Sequence, residues 1–223
     1  MSLFSRWRFD RSLKALADSE HAVLRNYAAA AWPAHDCPAH EAAYLALDFE
    51  LDGLRKGSHL LSAGWTPFEG RAISLTEAQS HDIRSDARLD DVAVIIHMIG
   101  EERAREGAPL GKVTHALITA LTGRVMIAHA AGIECEATAR ACEKVFGTRL
   151  PIRAICTLML ERRLHPNLTE SDAYRLGPTR ARYGLPQYNA HDALTDAIAA
   201  AELFAAQLTR LPAGTPLSEL EIS

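Results

Sequence analysis

The chain has 223 residues, 48% of them hydrophobic and 23% charged, with a formal net charge of −4 at pH 7. That length buries a core without disulfide staples and fits one domain plus an extension, while the acidic balance excludes a broad basic face for indiscriminate duplex binding. No apolar run approaches the ~20 residues of a membrane span and no secretory leader opens the chain, so no membrane partner is expected and the cytoplasm is the default location.

Residues 1–41 read as an N-terminal helical extension. Leu13, Leu16, Ala17, Val23, Leu24 and Tyr27 recur at helical spacing across Ser12–Ala31, and Trp32-Pro33 ends the run. The stretch Ala43–Leu54, apolar and closed by Asp52-Gly53, predicts a buried strand. Strand alternation sets Asp48 and Glu50 on one face and Leu47, Phe49 and Leu51 on the other. Two further strands, His59–Thr66 and Arg71–Leu75, flank the turn Pro67–Gly70 and give an antiparallel meander. Thr76–Asp91 is polar, carries His81, Arg84 and Arg88, and reads as a solvated loop, with a substrate-facing basic segment as the alternative; His97 is a candidate for the substrate side.

Pro109–Leu121 predicts a helix with its apolar stripe on Leu110, Val113, Leu117, Ile118 and Leu121, stopped by Gly123. Val125–Ala128 follows as a short buried strand, Gly132–Phe146 as a helix ended by Gly147, Ile152–Cys156 as a strand and Thr157–Leu164 as a helix. Strands alternating with helices after an antiparallel hairpin predict an α/β domain over 42–210 with a mixed sheet. Cys37, Cys135, Cys142 and Cys156 lack CxxC spacing and read as reduced thiols.

Ala193–Leu208 keeps the i, i+3, i+4 rhythm, yet its other face carries Ala193, Ala199, Ala200 and Leu203 around a single acid. Such a helix is covered on both sides, and Asp196 is then a carboxylate that needs a partner. The tail, 211–223, reads as loosely attached. Asp48 and Glu50 on the opening strand, Glu134 and Asp196 are thus acids in apolar or small-residue settings at three separate places in the chain. Hard divalent cations take oxygen ligands and few of them, and the four carboxylates fit a two-metal site of the kind that drives in-line phosphoryl transfer. His191, five residues before Asp196, is the candidate general base, since an imidazole accepts a proton near neutral pH.

The segments Leu45-Ala-Leu-Asp48-Phe-Glu50, Ile127-Ala-His129-Ala-Ala with Glu134 beyond, and His191-Asp-Ala-Leu-Thr-Asp196 resemble the three motifs of the DEDDh 3′–5′ exonucleases. Cys156–Arg163, Leu176-Gly and Arg182-Tyr-Gly-Leu185 resemble the branch of the DNA polymerase III epsilon subunit and ribonuclease T. The resemblance runs from about Tyr44 to Leu208 and implies a ribonuclease H-like five-stranded mixed sheet flanked by helices. It implies release of nucleoside monophosphates from single-stranded DNA or RNA 3′ ends. Asp48, Glu50, Glu134 and Asp196 would bind two Mg²⁺ or Mn²⁺ ions, and His191 would deprotonate the attacking water. Proofreading with a polymerase or another protein partner, repair and RNA trimming all stay open.

The second motif departs from the usual His-Asn-Ala-x-Phe-Asp: it ends in Glu134, one methylene longer, with Glu136 as the alternative acid, and Leu51-Asp52 stand where the family has Thr-Thr. A rival reading of His191-Asp192 as an all-helical HD-type phosphohydrolase conflicts with the meander. A catalytically weakened nucleic-acid-binding or scaffold protein of the same fold is the other alternative.

Overall fold

The structure, a computed structural model, describes residues 3–53, 58–85 and 101–222. The expectations attached to Leu54, Arg88 and His97 lie outside the described residues.

The central strand is β1 (Ala43–Leu51), and its two faces organise the packing. Leu45, Leu47 and Phe49 meet a cluster that includes Val23, Leu24, Tyr27, Val113 and Leu117. Tyr44 and Ala46 point the other way, against Ala197, Ala201 and Phe204. A strand covered on both faces reads as a nearly continuous apolar run, which explains why Asp48 and Glu50 stand out. β2 (Leu60–Glu69) pairs antiparallel with β1, β5 (Val125–Ala128) pairs parallel with it, and β6 (Ala154–Cys156) pairs parallel with β5. Among the described residues the sheet is six-stranded and mixed, ordered β3-β2-β1-β5-β6, with β3 (Ala72–Ile73) and β4 (Gln79–Asp82) both on the outer edge of β2. Flanked by helices, it is the expected α/β architecture with one strand more than the five expected.

That extra strand comes from the stretch read as a solvated loop. Gln79–Asp82 is wholly polar and gives no apolar alternation, yet it pairs with Ser62–Trp65 and stacks His81 on Trp65 at 4.9 Å. β2 also runs three residues past its predicted end, through Pro67. The proline is tolerated because its backbone groups face away from β1: its carbonyl accepts the Ser74 N–H at 3.0 Å.

The predicted single helix at Ser12–Ala31 is two, α1 (Leu3–Leu16) and α2 (Ala22–Ala29). The break falls at Asp18-Ser19, short polar residues that compete for backbone groups; Ser19 Oγ accepts the His21 N–H, and Arg25 closes on the Ser19 and Glu20 carbonyls. α3 (Glu101–Glu106) precedes α4 (Leu110–Leu121), which runs up to the predicted stop at Gly123, φ 72°. α5 (Gly132–Phe146) ends on Gly147 at φ 71°, the left-handed cap read from the sequence. α6 (Thr157–Leu164) and α8 (Ala193–Leu208) match their predicted spans, with the unassigned α7 (Leu176–Arg182) between them.

The tail is not loosely attached. α9 (Leu217–Leu220) buries both its leucines, and Glu221 forms a buried ion pair with Arg153 at 2.6 Å. Arg153 also donates to the Pro33 carbonyl, so one cation ties the start of β6 to the tail and to the connection after α2. The rest of the 33–38 stretch is held the same way: Leu217 N–H bonds the Cys37 carbonyl and Ser218 N–H the His35 carbonyl. Removing one partner of a buried pair typically costs about 3–5 kcal/mol, so Glu221→Ala is expected to lower the melting temperature by roughly 10 °C, read by thermal denaturation. The four cysteines are free thiols, and burial pushes Cys135 up to about 12 and Cys142 up to about 11.

Candidate active site

In open α/β sheets ligands sit beyond the carboxyl ends of strands, where the chain leaves a strand in opposite directions. β1 is such a strand, with β2 on one side and β5 on the other, and Asp48 and Glu50 lie at its carboxyl end. A register shift between Glu50 and Leu51 closes the ladder there, a device that re-aims side chains beside functional sites.

Both acids share the face of Tyr44 and Ala46, toward α8. Directly opposite Asp48 in the ladder is Gly64. A Cβ at Gly64 would fall 2.1 Å from Leu194 N, 2.3 Å from Ala193 C and 2.4 Å from Leu194 Cα. The missing side chain thus lets the first turn of α8 rest on β2, and two residues further on is Asp196. One oxygen each of Asp48, Glu50 and Asp196 lies within 4.8 Å of the other two.

Asp192 starts α8 by accepting the Thr195 N–H at 2.9 Å and its hydroxyl at 2.8 Å. His191, in the left-handed region at φ 70°, donates its backbone N–H to Asp196 Oδ2 at 2.8 Å. Tyr188 donates its hydroxyl to the same carboxylate. The Tyr188 ring lies under Arg180, whose carbon is 5.0 Å from its centroid. Arg180 is itself fixed by Glu202 at 2.7 Å and by the Ala199 and Pro186 carbonyls. Asp48, Asp196, His191, Tyr188 and His129 line one cleft of about 640 Å³.

Glu134 stands in the first turn of α5, buried, with Oε2 lacking a hydrogen-bond partner among the described residues. It is outside the 4.8 Å trio, but its charge is the foremost of the carboxylates acting on Asp48. Glu136 is different: it is exposed and paired with Arg149 at 2.6 Å. Burial and the charges of Glu134, Asp196, Glu50 and Asp192 hold Asp48 well above the usual carboxylate range. Burial likewise raises Asp196, and it pushes Glu134 up to about 8, helped by Glu50. Clustered carboxylates of this kind, Glu50 and Glu134 buried and Asp48 and Asp196 half-buried, call for a cation, and an all-oxygen set suits Mg²⁺ or Mn²⁺.

A raised carboxyl pKa favours the folded state while the group is protonated. The contribution of Glu134 is complete below its ordinary value of 4.5 and is lost as pH rises through about 8. The metal-free protein is therefore expected to melt at a lower temperature at pH 8 than at pH 5.5. Adding Mn²⁺ at pH 8 is expected to restore it, by about 2.7 kcal/mol at a hundred times the dissociation constant; differential scanning calorimetry reads both.

His129 is a structural residue. Its Nε2 has only the Tyr174 carbonyl, at 2.8 Å, so it carries the hydrogen; Nδ1 then accepts the Thr157 hydroxyl at 2.8 Å. Burial pushes this neutral ring down to about 4. The next residue, Ala130, sits at φ 73°, where a Cβ costs roughly 1 kcal/mol. Ala130→Gly is expected to raise stability by about that amount, read as the denaturant midpoint.

Asp48, Glu50 and Asp196, proposed from the sequence, converge here; His191 lines the same cleft, and Glu134 is the buried neighbour. Gly64 and Tyr188 were missed. An isolated glycine inside a strand pattern signals a close backbone approach, so Gly64 had a readable sign; Tyr188, in an irregular loop, had none.

The family model for exonucleases, RNase_T, matches residues 45–204. No curated protein sequence matches the chain. Among solved structures, the fold is similar to that of Escherichia coli Exonuclease I in complex with a 5cy-dT13 oligonucleotide, with TM-score 0.65 and 17% identity over 77% of this chain and 42% of that one. It is also similar to Exonuclease X in complex with 5′ overhanging duplex DNA, with TM-score 0.60 and 22% identity over 79% of this chain and 98% of that one. The chain thus spans less than half the length of Exonuclease I. The family match reaches from the strand that carries Asp48 and Glu50 to the helix that carries Asp196, and the chain belongs to the DEDD-type 3′–5′ exonucleases.

Proposed function

We propose that this chain removes nucleoside monophosphates from single-stranded 3′ ends with the help of two divalent cations, Mg²⁺ or Mn²⁺. The observation that carries the reading is the convergence of Asp48, Glu50 and Asp196 within 4.8 Å, with Asp48 and Asp196 lining a cleft. Glu134, buried beside them with an oxygen in want of a partner, completes the proposed set.

Bound there, the cations would supply charge neutralisation for both oxygens of an in-line displacement at phosphorus. The protein's own part is to hold the carboxylates in place and to manage a proton. The Tyr188 hydroxyl and His191 N–H fix the orientation of Asp196. His191, at the exposed lip of the cleft, takes the proton of the attacking water on its ring nitrogen. Arg175, exposed at the rim, meets a backbone phosphate of the strand. The epsilon-type branch is supported by the residues of α6 and α7 quoted above; the single-stranded substrate class is supported by the oligonucleotide that Exonuclease I holds.

The test uses 5′-labelled single-stranded DNA and RNA oligonucleotides. With Mg²⁺ or Mn²⁺ the expected trace is stepwise shortening from the 3′ end, stopped by EDTA. Binding without shortening would overturn the reading in favour of a scaffold. Glu134 has a separate check: Glu134→Gln is expected to lower the rate at least about 100-fold, roughly a 3 kcal/mol loss of transition-state stabilisation. Glu136→Gln, which removes one of the two exposed carboxylates paired with Arg149 and leaves Glu143, is expected to stay within about twofold. The opposite ranking in steady-state kinetics would move the second-motif role to Glu136.

A further inference from the structure

The first helix carries an aromatic and cationic face that the cleft does not use. Inward, α1 packs through Phe9 and Leu16, with Phe9 meeting the edge of Trp32 at 5.2 Å. Outward it presents Phe4 and Trp7, 66% and 53% exposed and stacked with centroids 5.9 Å apart. Arg11 lies over the Trp7 ring at 5.3 Å. Arg6, Arg8, Arg11 and Lys14 oppose a single acid, Asp10, on a helix that belongs to a chain of net charge −4.

A groove of about 430 Å³ separates α1 from α5. Ser5, Arg8 and Ser12 line one wall, and at the other is Gly132, the residue that opens the helix bearing Glu134. Of the cationic face, Arg8 reaches this groove, whose α5 wall also carries Glu136, and Gly132 stands two residues before Glu134.

We propose that α1 is a platform for the single-stranded stretch that lies 5′ of the nucleotide being removed, with bases stacking on Phe4 and Trp7 and phosphates meeting Arg8 and Arg11. The inference rests on the exonuclease reading and extends it to a second contact region on the same strand. Three features favour a nucleic acid over a lipid surface. Among the described side chains of α1, the exposed apolar area is a pair of rings rather than a continuous stripe, because Phe9 and Leu16 are already used against the core. Aromatic faces interleaved with guanidinium groups match alternating bases and phosphates. The helix is cationic where most of the chain is acidic, so a polyanion is drawn to this face.

The test measures dissociation constants, with Ca²⁺ replacing Mg²⁺ to prevent turnover, for a thymidine tetranucleotide and for an oligothymidylate of about 16 nucleotides. Wild type is expected to bind the longer strand at least about tenfold more tightly. The doubly substituted Phe4→Ala/Trp7→Ala protein is expected to lose that gain, since stacking on one aromatic ring is worth roughly 5- to 150-fold. Its removal of nucleotides from the tetranucleotide is expected to be unchanged. Arg8→Gln/Arg11→Gln is expected to flatten the salt dependence of long-strand binding by about 0.7 in log–log slope for each phosphate left without its guanidinium.

The proposal is overturned if wild type shows no gain with length, or if both variants bind the longer strand as wild type does. It is also overturned if Phe4→Ala/Trp7→Ala keeps its strand affinity but loses binding to vesicles of anionic phospholipid, which would assign the face to a membrane surface. Failure of wild type to shorten even the tetranucleotide with Mg²⁺ would instead sink the exonuclease reading, an outcome distinct from a missing length dependence.

Discussion

Asp48→Asn is expected to abolish nucleotide removal while making the metal-free protein more stable. Asp48 is the acid on which Glu134, Asp196, Glu50 and Asp192 all act, and burial holds its carboxyl high. An amide of the same shape removes the charge at the centre of this repulsion and still fills the space. Without cations the folded state gains, and a shift of about 1 kcal/mol raises the melting temperature by roughly 2–4 °C for a chain of this size. With cations the substitution removes a ligand oxygen, and several kcal/mol of transition-state stabilisation go with it, at least about a thousandfold in rate. Opposite signs for stability and activity separate a site that holds a cation from an acid that merely supports the fold. Loss of both together would mean that Asp48 is structural.

Gly64→Ala is the second large effect, and it comes from a residue with no chemistry of its own. The added Cβ would meet backbone atoms of Ala193 and Leu194 at 2.1–2.4 Å, and backbone cannot swing aside as a side chain can. α8 must lift from β2, carrying Asp196 away from Asp48 and Glu50. Overpacking of this kind costs about 1–3 kcal/mol of stability. A displacement of about 1 Å at a catalytic group lowers the rate on the order of 100-fold. The variant is therefore expected to fold with a reduced melting temperature, to bind Mn²⁺ more weakly and to turn over slowly. Gly147→Ala is the control: nothing lies within 4 Å of its added Cβ, so it has only the backbone strain of its left-handed φ, of order 1 kcal/mol, and is expected to keep full activity. Equal activity losses in the two variants would rule out the close approach as the cause.

How much was legible in the sequence follows from which forces act locally. β1, α5 and α8 could be read because apolar periodicity, turn residues and caps agree within each segment. Asp48, Glu50 and Asp196 could be read for the related reason that acids inside such segments conflict with their surroundings. β4 could not, because Gln79–Asp82 owes its strand to the open edge of β2 rather than to its own pattern. The break between α1 and α2 was hidden by a periodicity that two helices packed on the same core both satisfy. The tail was misjudged because the ion pair that anchors it joins Arg153 to Glu221, residues 68 positions apart. The site shows the same divide: its acids announce themselves, whereas Tyr188 and Gly64 matter through contacts with Asp196 and α8 that only the folded chain brings about.

Glu134 is where geometry and family pattern pull hardest on each other. It stands outside the tight trio, one methylene longer than the usual aspartate, yet its oxygen is buried without a partner and its charge reaches Asp48 and Glu50. A cation seated between the trio and Glu134 would satisfy both observations. The direct test is an anomalous-scattering map from a crystal of the wild-type protein soaked in Mn²⁺. Two peaks about 3.5–4 Å apart are expected, ligated by Asp48, Glu50 and Asp196, with Glu134 reaching one of them. A map without density at this cluster, or with the manganese held by other residues, would contradict the two-metal site.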